Sequence, residues 1–132
     1  MSVPRARLWL DQVARDLNAA RSCARGEVPE AGHAAFCVQQ AAEKLVMAAL
    51  IVLDLPAPRS HDIDALARRL PPDFPDRERY IALGRFTPYA TTFRYPGDDG
   101  ELSEPSLEDI EAWIDEIGGL RATLVMRLQT EV

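Results

Sequence analysis

The stretch FCVQQAAEKLVMAALIVL, residues 36–53, decides the fold of this 132-residue chain. Its second half, residues 45–53, is apolar at every position. A helix that is hydrophobic all round must be surrounded by partners, either within its own fold or across a dimer contact. We therefore predict a central helix from about residue 32 to residue 53, which Pro56 and Pro58 terminate. Nine apolar residues are about half of what spans a bilayer, so we predict no membrane segment.

Long amphipathic helices are predicted at the two ends of the chain. The first, roughly residues 5–26, repeats apolar side chains at helical spacing and stops before Pro29. The last begins at Ser106, which forms a capping-box-like start with Asp109. An apolar stripe runs along this last helix and consists of Ile110, Trp113, Ile114, Ile117, Leu120, Leu124 and Leu128.

Two shorter helices are predicted between the central and last helices. Ser60 is a good N-cap for the first of them, which ends before Pro71. The second covers about residues 76–92, with a kink or break near Pro88. Residues 95–106, rich in Gly, Pro and acidic side chains, are predicted to form a loop.

These elements predict an all-α protein. No segment alternates apolar and polar residues as a strand would, and long helices joined by short connections favour an antiparallel up-and-down bundle. We predict four main helices plus a short one, in a single domain covering residues 1–132.

Composition narrows the function classes. The net charge is −6, whereas proteins that bind nucleic acid through phosphate neutralisation usually carry a basic surplus, so nonspecific nucleic-acid binding is disfavoured. The N-terminus lacks the unbroken apolar core of a signal peptide, and we expect a cytoplasmic protein. Cys23 and Cys37 have no metal-ligand spacing and are read as reduced. With no P-loop and no GxGxxG, we predict no cofactor and no metal.

Three polar residues interrupt the central helix. Gln40 and Lys44 are four residues apart and share a face, and Glu43 lies toward the neighbouring face. A buried polar group without a partner costs about 1–3 kcal/mol, so these side chains must be hydrogen-bonded or paired. They form either a structural cluster or a surface that faces a ligand or a dimer partner. Lys44 is also the only lysine of the chain.

Three further residues are candidates for a binding site. Arg94 and Tyr95 directly precede Pro96, and an arginine at a helix end can grip a phosphate with two hydrogen bonds. The alternative for Arg94 is a salt bridge to Glu43 or to the acidic loop. His61 follows Ser60 at a helix start, where a histidine serves as an acid or base, or as a capping or packing residue.

Several of these segments together resemble the HEPN family, the higher eukaryotes and prokaryotes nucleotide-binding domain. The resemblance covers nearly the whole chain. Its segments are WLDQVARDLNAA (9–20), QQAAEKLVMAAL (39–50), SHDIDAL (60–66) and RYP (94–96).

The resemblance implies a helical bundle that forms homodimers and is paired with a minimal nucleotidyltransferase in a toxin–antitoxin-like or stress system. It also implies a nucleotide ligand, with Gln40, Glu43, Lys44, Arg94 and Tyr95 lining or bracing the cleft. His61 would then lie near its edge.

Two features of the chain depart from the family pattern. Family ribonucleases use an Arg-x4-6-His motif, and neither His33 nor His61 stands at that spacing after an arginine. Met47 occupies a position where the family often has another lysine. The missing motif argues against an enzyme, and we therefore expect a non-nuclease, nucleotide-binding member. The alternatives are a divergent metal-independent ribonuclease toxin using Arg94 and His61, and a purely structural dimeric recruiting subunit.

Overall fold

Helices make up most of the computed structural model, which describes residues 3–91 and 104–130. The α-helices are α1 (Val3–Arg25), α2 (Ala31–Val52), α3 (Ile63–Ala67), α4 (Arg77–Ala82) and α5 (Leu107–Thr130), and a 3-10 helix covers Leu83–Ala90. Because α4 runs directly into the 3-10 helix, the two form one helical segment. The described residues thus contain four long helical segments, the short α3 and no strand, which confirms the predicted all-α class.

α2 occupies the central position that the sequence predicts for residues 36–53. It packs against α1, α5 and the 3-10 helix, and every residue from Leu45 to Val52 is buried. By length and composition α2 could also cross a membrane, but 72% of its most apolar window is buried inside the bundle. Its apolar surface is therefore covered by the other helices of this chain.

The ends of the long helices lie within two residues of their predicted positions. α5 starts as its sequence indicates, because the Ser106 hydroxyl accepts a hydrogen bond from the backbone N–H of Asp109 at 3.0 Å. The helix then buries six apolar side chains at helical spacing, and Trp113 is partly buried against the same core.

The predicted N-cap of the third helix is wrong. Asp62 holds that position, and its carboxylate accepts a hydrogen bond from the backbone N–H of Ala65 at 3.1 Å. Ser60 lies two residues earlier, where its hydroxyl accepts a hydrogen bond from the backbone N–H of Asp62 at 3.0 Å. Both residue types favour the N-cap, and Asp62 is the one whose spacing matches the first turn.

The fourth helix also differs from its prediction. The change from α-helix to 3-10 helix occurs at Leu83, and Pro88 lies inside the 3-10 helix without breaking it. The change coincides with a close approach to α3 at Gly84. A Cβ atom on that glycine would stand 2.8 Å from the Cβ of Asp64. The absence of a side chain at Gly84 is what allows the two helical segments to meet.

Candidate functional site

The polar residues of α2 lie where the helix faces α1 and the loop before α3. Gln39 has no exposed surface and is the only buried polar residue in the described ranges 3–91 and 104–130. Gln40, Glu43 and Lys44 are partly buried beside it. Each of the four makes a hydrogen bond or an ion pair, as burial requires.

A continuous series of hydrogen bonds, which we call the polar chain, joins the side chains of Gln40, Gln39, Glu43 and His61. The amide nitrogen Nε2 of Gln40 lies 2.7 Å from Oε1 of Gln39, and Nε2 of Gln39 lies 2.8 Å from Oε2 of Glu43. The same Oε2 lies 3.0 Å from Nδ1 of His61. The polar chain thus links the interior of α2 to an imidazole whose side chain is 67% exposed.

Lys44 has a different partner. Its ammonium lies 2.9 Å from the carboxylate of Asp16 on α1, and only about a fifth of each side chain is exposed, 23% and 20%. Removing either side chain would leave the other charge partly buried and unpaired, which is strongly destabilising for fully buried pairs. The ion pair therefore joins α1 to α2. Its ammonium group also faces the cavity described next.

A cavity of about 350 Å³ opens over these residues. α1, α2 and the loop before α3 each contribute to its lining, which consists of Trp9, Glu43, Lys44, Met47, Arg59, Ser60 and His61. We call this cavity the polar cleft. It combines an indole ring with a lysine, an arginine and a histidine, a set that can stack on a planar ring and bind an anion.

Arg59 differs from Lys44 and His61, the other two basic residues of the polar cleft. Its side chain is exposed and makes no hydrogen bond or ion pair with any residue of 3–91 or 104–130. Lys44, by comparison, is held by Asp16, and His61 is held by Glu43. Among the residues that the structure describes, none has to release the guanidinium of Arg59 before it can bind a ligand.

The structure brings together part of the predicted site. Glu43, Lys44 and His61 all line the polar cleft, whereas Gln40 lies outside its lining and contributes through the polar chain. The salt bridge that could have joined Arg94 to Glu43 is not described, because Arg94 and Tyr95 lie outside the described residues. In the described part of the chain, Glu43 pairs with His61.

Sequence reasoning missed several residues of the polar cleft. Trp9 lies on α1 and Arg59 in a proline-rich loop, and nothing in their local sequence places them beside Lys44. Asp16 could have been found by asking which acid balances a lysine on an apolar helix. Gln39 could have been found from its spacing, since it stands four residues before Glu43 on the same face.

A second cavity, larger than the polar cleft, lies elsewhere. It has a volume of about 500 Å³, is mostly apolar and shares no residue with the polar cleft. Phe74 and Tyr80 meet edge to face in its wall at 5.6 Å, and the guanidinium of Arg127 lies 5.0 Å from the Phe74 ring centroid. Burial raises the pKa of the Tyr80 hydroxyl far above its ordinary value, so this hydroxyl stays protonated. We take the polar cleft as the candidate site, because Lys44, Arg59 and His61 line it together with an indole ring.

The cysteines offer no second reactive centre. Both are free and partly buried, and burial raises the pKa of the Cys37 thiol to about 11, which keeps it protonated and poorly nucleophilic at neutral pH. Among residues 3–91 and 104–130, no group of three or more His, Cys, Asp and Glu side chains could hold a metal ion.

Fold and site together define an all-helical protein with a partly charged cleft beside its central helix. The family model described as HEPN domain matches residues 6–127, which is nearly the whole chain. This chain belongs to the HEPN family. No curated protein and no solved structure matches it.

Proposed function

We propose that this HEPN protein is a non-nuclease member that binds a nucleotide in the polar cleft. The observation that carries the proposal is the arrangement of Arg59, Lys44 and Trp9 around one cavity of about 350 Å³. A nucleotide has two parts that need separate recognition, an anionic phosphate and a planar base. The polar cleft offers a cationic group for the first and an indole face for the second.

The phosphate is bound by the two cations in different ways. Arg59 has a planar guanidinium that pairs with phosphate through two parallel hydrogen bonds. Lys44 has three N–H donors, and its bond to Asp16 uses one of them, so two remain for the ligand. Arg94 is proposed as a further phosphate ligand and Tyr95 as a further stacking residue, as the family resemblance implies.

The base stacks on Trp9. Stacking of a base on an aromatic side chain contributes about 1–3 kcal/mol and tolerates different bases. Trp9 is partly exposed, so one part of its indole packs against the core and the rest lines the polar cleft. Stacking on Trp9 does not distinguish one base from another, so we expect the polar cleft to recognise a nucleotide by its shape and charge and not by the identity of its base.

Replacing Arg59 by alanine is expected to weaken ATP and GTP binding about tenfold, which corresponds to the ~1.4 kcal/mol of a partly solvated charged contact. Isothermal titration calorimetry of the wild type and the variant measures the change. Arg59 is preferred to Lys44 for this test, because removing Lys44 would also leave Asp16 unpaired and confuse binding with stability.

Arg69→Ala is the matched control for this titration. It removes the same charge from an exposed arginine that does not line the polar cleft, so its affinity should equal that of the wild type. Equal losses in both variants would mean that only the overall charge matters. No binding heat from ATP or GTP with the wild type would exclude the nucleotide ligand.

The proposal extends to the partners. We expect a cytoplasmic homodimer that pairs with a minimal nucleotidyltransferase, and membership of the HEPN family supports this assignment. Sedimentation equilibrium of the purified chain should give twice the mass of 14.7 kDa. A monomer at all concentrations would remove the dimer from the proposal and leave the nucleotide site unaffected.

A further inference from the structure

We propose that the polar chain presents His61 to the ligand as a hydrogen-bond acceptor, and that a ribose hydroxyl of the bound nucleotide donates to it. This inference rests on the proposed function for the identity of the ligand. The state of the imidazole follows from the polar chain alone and can be tested in the free protein.

The carboxylate of Glu43 sets the direction of the hydrogen bonds, because an ionised carboxylate can only accept them. Nε2 of Gln39 therefore donates to Oε2 of Glu43 at 2.8 Å. The carbonyl oxygen of Gln39 then accepts from Nε2 of Gln40 at 2.7 Å. Since Gln39 has no exposed surface, water cannot satisfy a flipped amide. Gln39 and Gln40 are positioning residues.

Glu43 also sets the orientation of the proton on the imidazole of His61. Its Oε2 accepts from Gln39 and lies 3.0 Å from Nδ1 of His61, and a carboxylate can only accept. The proton of the imidazole must therefore sit on Nδ1. In a neutral histidine with a proton on one ring nitrogen, the other nitrogen carries a lone pair. Nε2 of His61 is that nitrogen, and it is the acceptor offered to the ligand.

A hydrogen-bond acceptor such as Nε2 of His61 binds only a ligand group that can donate a hydrogen. The oxygens of an ionised phosphate only accept hydrogen bonds, so a neutral Nε2 gains nothing from them. A hydroxyl can donate to it. Arg59, which takes the phosphate, stands two residues before His61 in the same loop, and the sugar is the unit of a nucleotide next to its phosphate. The geometry therefore favours a ribose hydroxyl at His61.

The first experiment determines the tautomer of His61 in the free protein by nitrogen-15 NMR at a pH where histidines are neutral. The chain contains only two histidines. His33 is the internal reference: its side chain is 71% exposed, its Nε2 lies 3.9 Å from Glu30, and no described residue bonds to its Nδ1. We expect Nδ1–H for His61 in the wild type. In Glu43→Ala we expect the Nε2–H form that a solvated imidazole prefers. A wild-type His61 with its proton on Nε2 would overturn the inference even if nucleotides bind.

The second experiment compares the affinities of ATP, 2′-deoxyATP and 3′-deoxyATP by calorimetry at the same pH. We expect the wild type to bind ATP about tenfold more tightly than one of the two deoxy analogues, because a site built for a hydroxyl rejects the analogue that lacks it. In His61→Ala this ratio should fall to near one. His33→Ala should keep the wild-type ratio.

The outcomes separate the two proposals. A wild type that binds ATP and both analogues equally overturns the ribose contact and leaves the nucleotide site standing, as does a ratio that survives in His61→Ala. A wild type that binds none of the three nucleotides overturns the proposed function and the ribose contact together. Far-UV circular dichroism of each variant confirms that it is folded before these ratios are compared.

Discussion

Replacing Leu50 by alanine lowers the free energy of unfolding by about 2–5 kcal/mol. Leu50 lies in the fully apolar half of α2 and has no exposed surface. Its neighbours come from the surrounding helices, which cannot all move inward, so the shortened side chain leaves a cavity. The loss therefore includes both the apolar surface no longer buried and the contacts missing around the cavity.

Urea denaturation followed by circular dichroism measures this loss. Leu8→Ala is the control, because it removes the same atoms from a side chain that is 68% exposed on α1. Its effect should stay within about 0.5 kcal/mol. Similar losses from the two variants would mean that α2 is not enclosed as described.

Replacing Gly84 by alanine lowers the free energy of unfolding by about 1–3 kcal/mol. The new Cβ would stand 2.8 Å from the Cβ of Asp64 and 3.1 Å from backbone atoms of the same residue. Because backbone atoms cannot swing aside as a side-chain end can, α3 and the 3-10 helix must separate. The boundary between α4 and the 3-10 helix lies at this contact and would shift with it.

Gly119→Ala tests the same substitution without the contact. Gly119 is exposed in the middle of α5, and nothing lies within 4 Å of a Cβ placed there. Alanine favours the helix, so this variant should be more stable than the wild type by about 0.5–1 kcal/mol. Thermal unfolding of the two variants should give shifts of opposite sign. A stabilised Gly84→Ala would contradict the close packing of α3.

The elements predicted best are those whose signals are local. The apolar run of α2 and the Ser106 cap of α5 depend on residues within one helix, and both are found as predicted. The cap of α3 and the 3-10 helix were missed for different reasons. Ser60 and Asp62 are both good caps, and the choice depends on where the first turn closes. The 3-10 helix begins beside the contact of Gly84 with Asp64, which lies twenty residues earlier in the chain and is not visible in the local sequence.

The same distinction applies to the candidate site. Glu43 and Lys44 were selected together because they are adjacent on one helix, and His61 was selected for its place before a helix. Their ligand-binding role stays a prediction. The sequence did not indicate that Asp16, Trp9 and Arg59 would join them, because that depends on how α1 and the loop before α3 cross α2. Contacts between elements distant in the chain leave no local pattern.

The enclosure of α2 also determines how the protein opens. The first turn of α2 can exchange by local fraying, but the amide hydrogens from Leu45 to Val52 can reach deuterated solvent only when the helices around them come away. Their exchange rates therefore report the opening of the whole domain, with α2 as its slowest-exchanging element. The polar cleft lies next to this slowly exchanging segment, because Glu43, Lys44 and Met47 of α2 line it together with the exposed loop before α3.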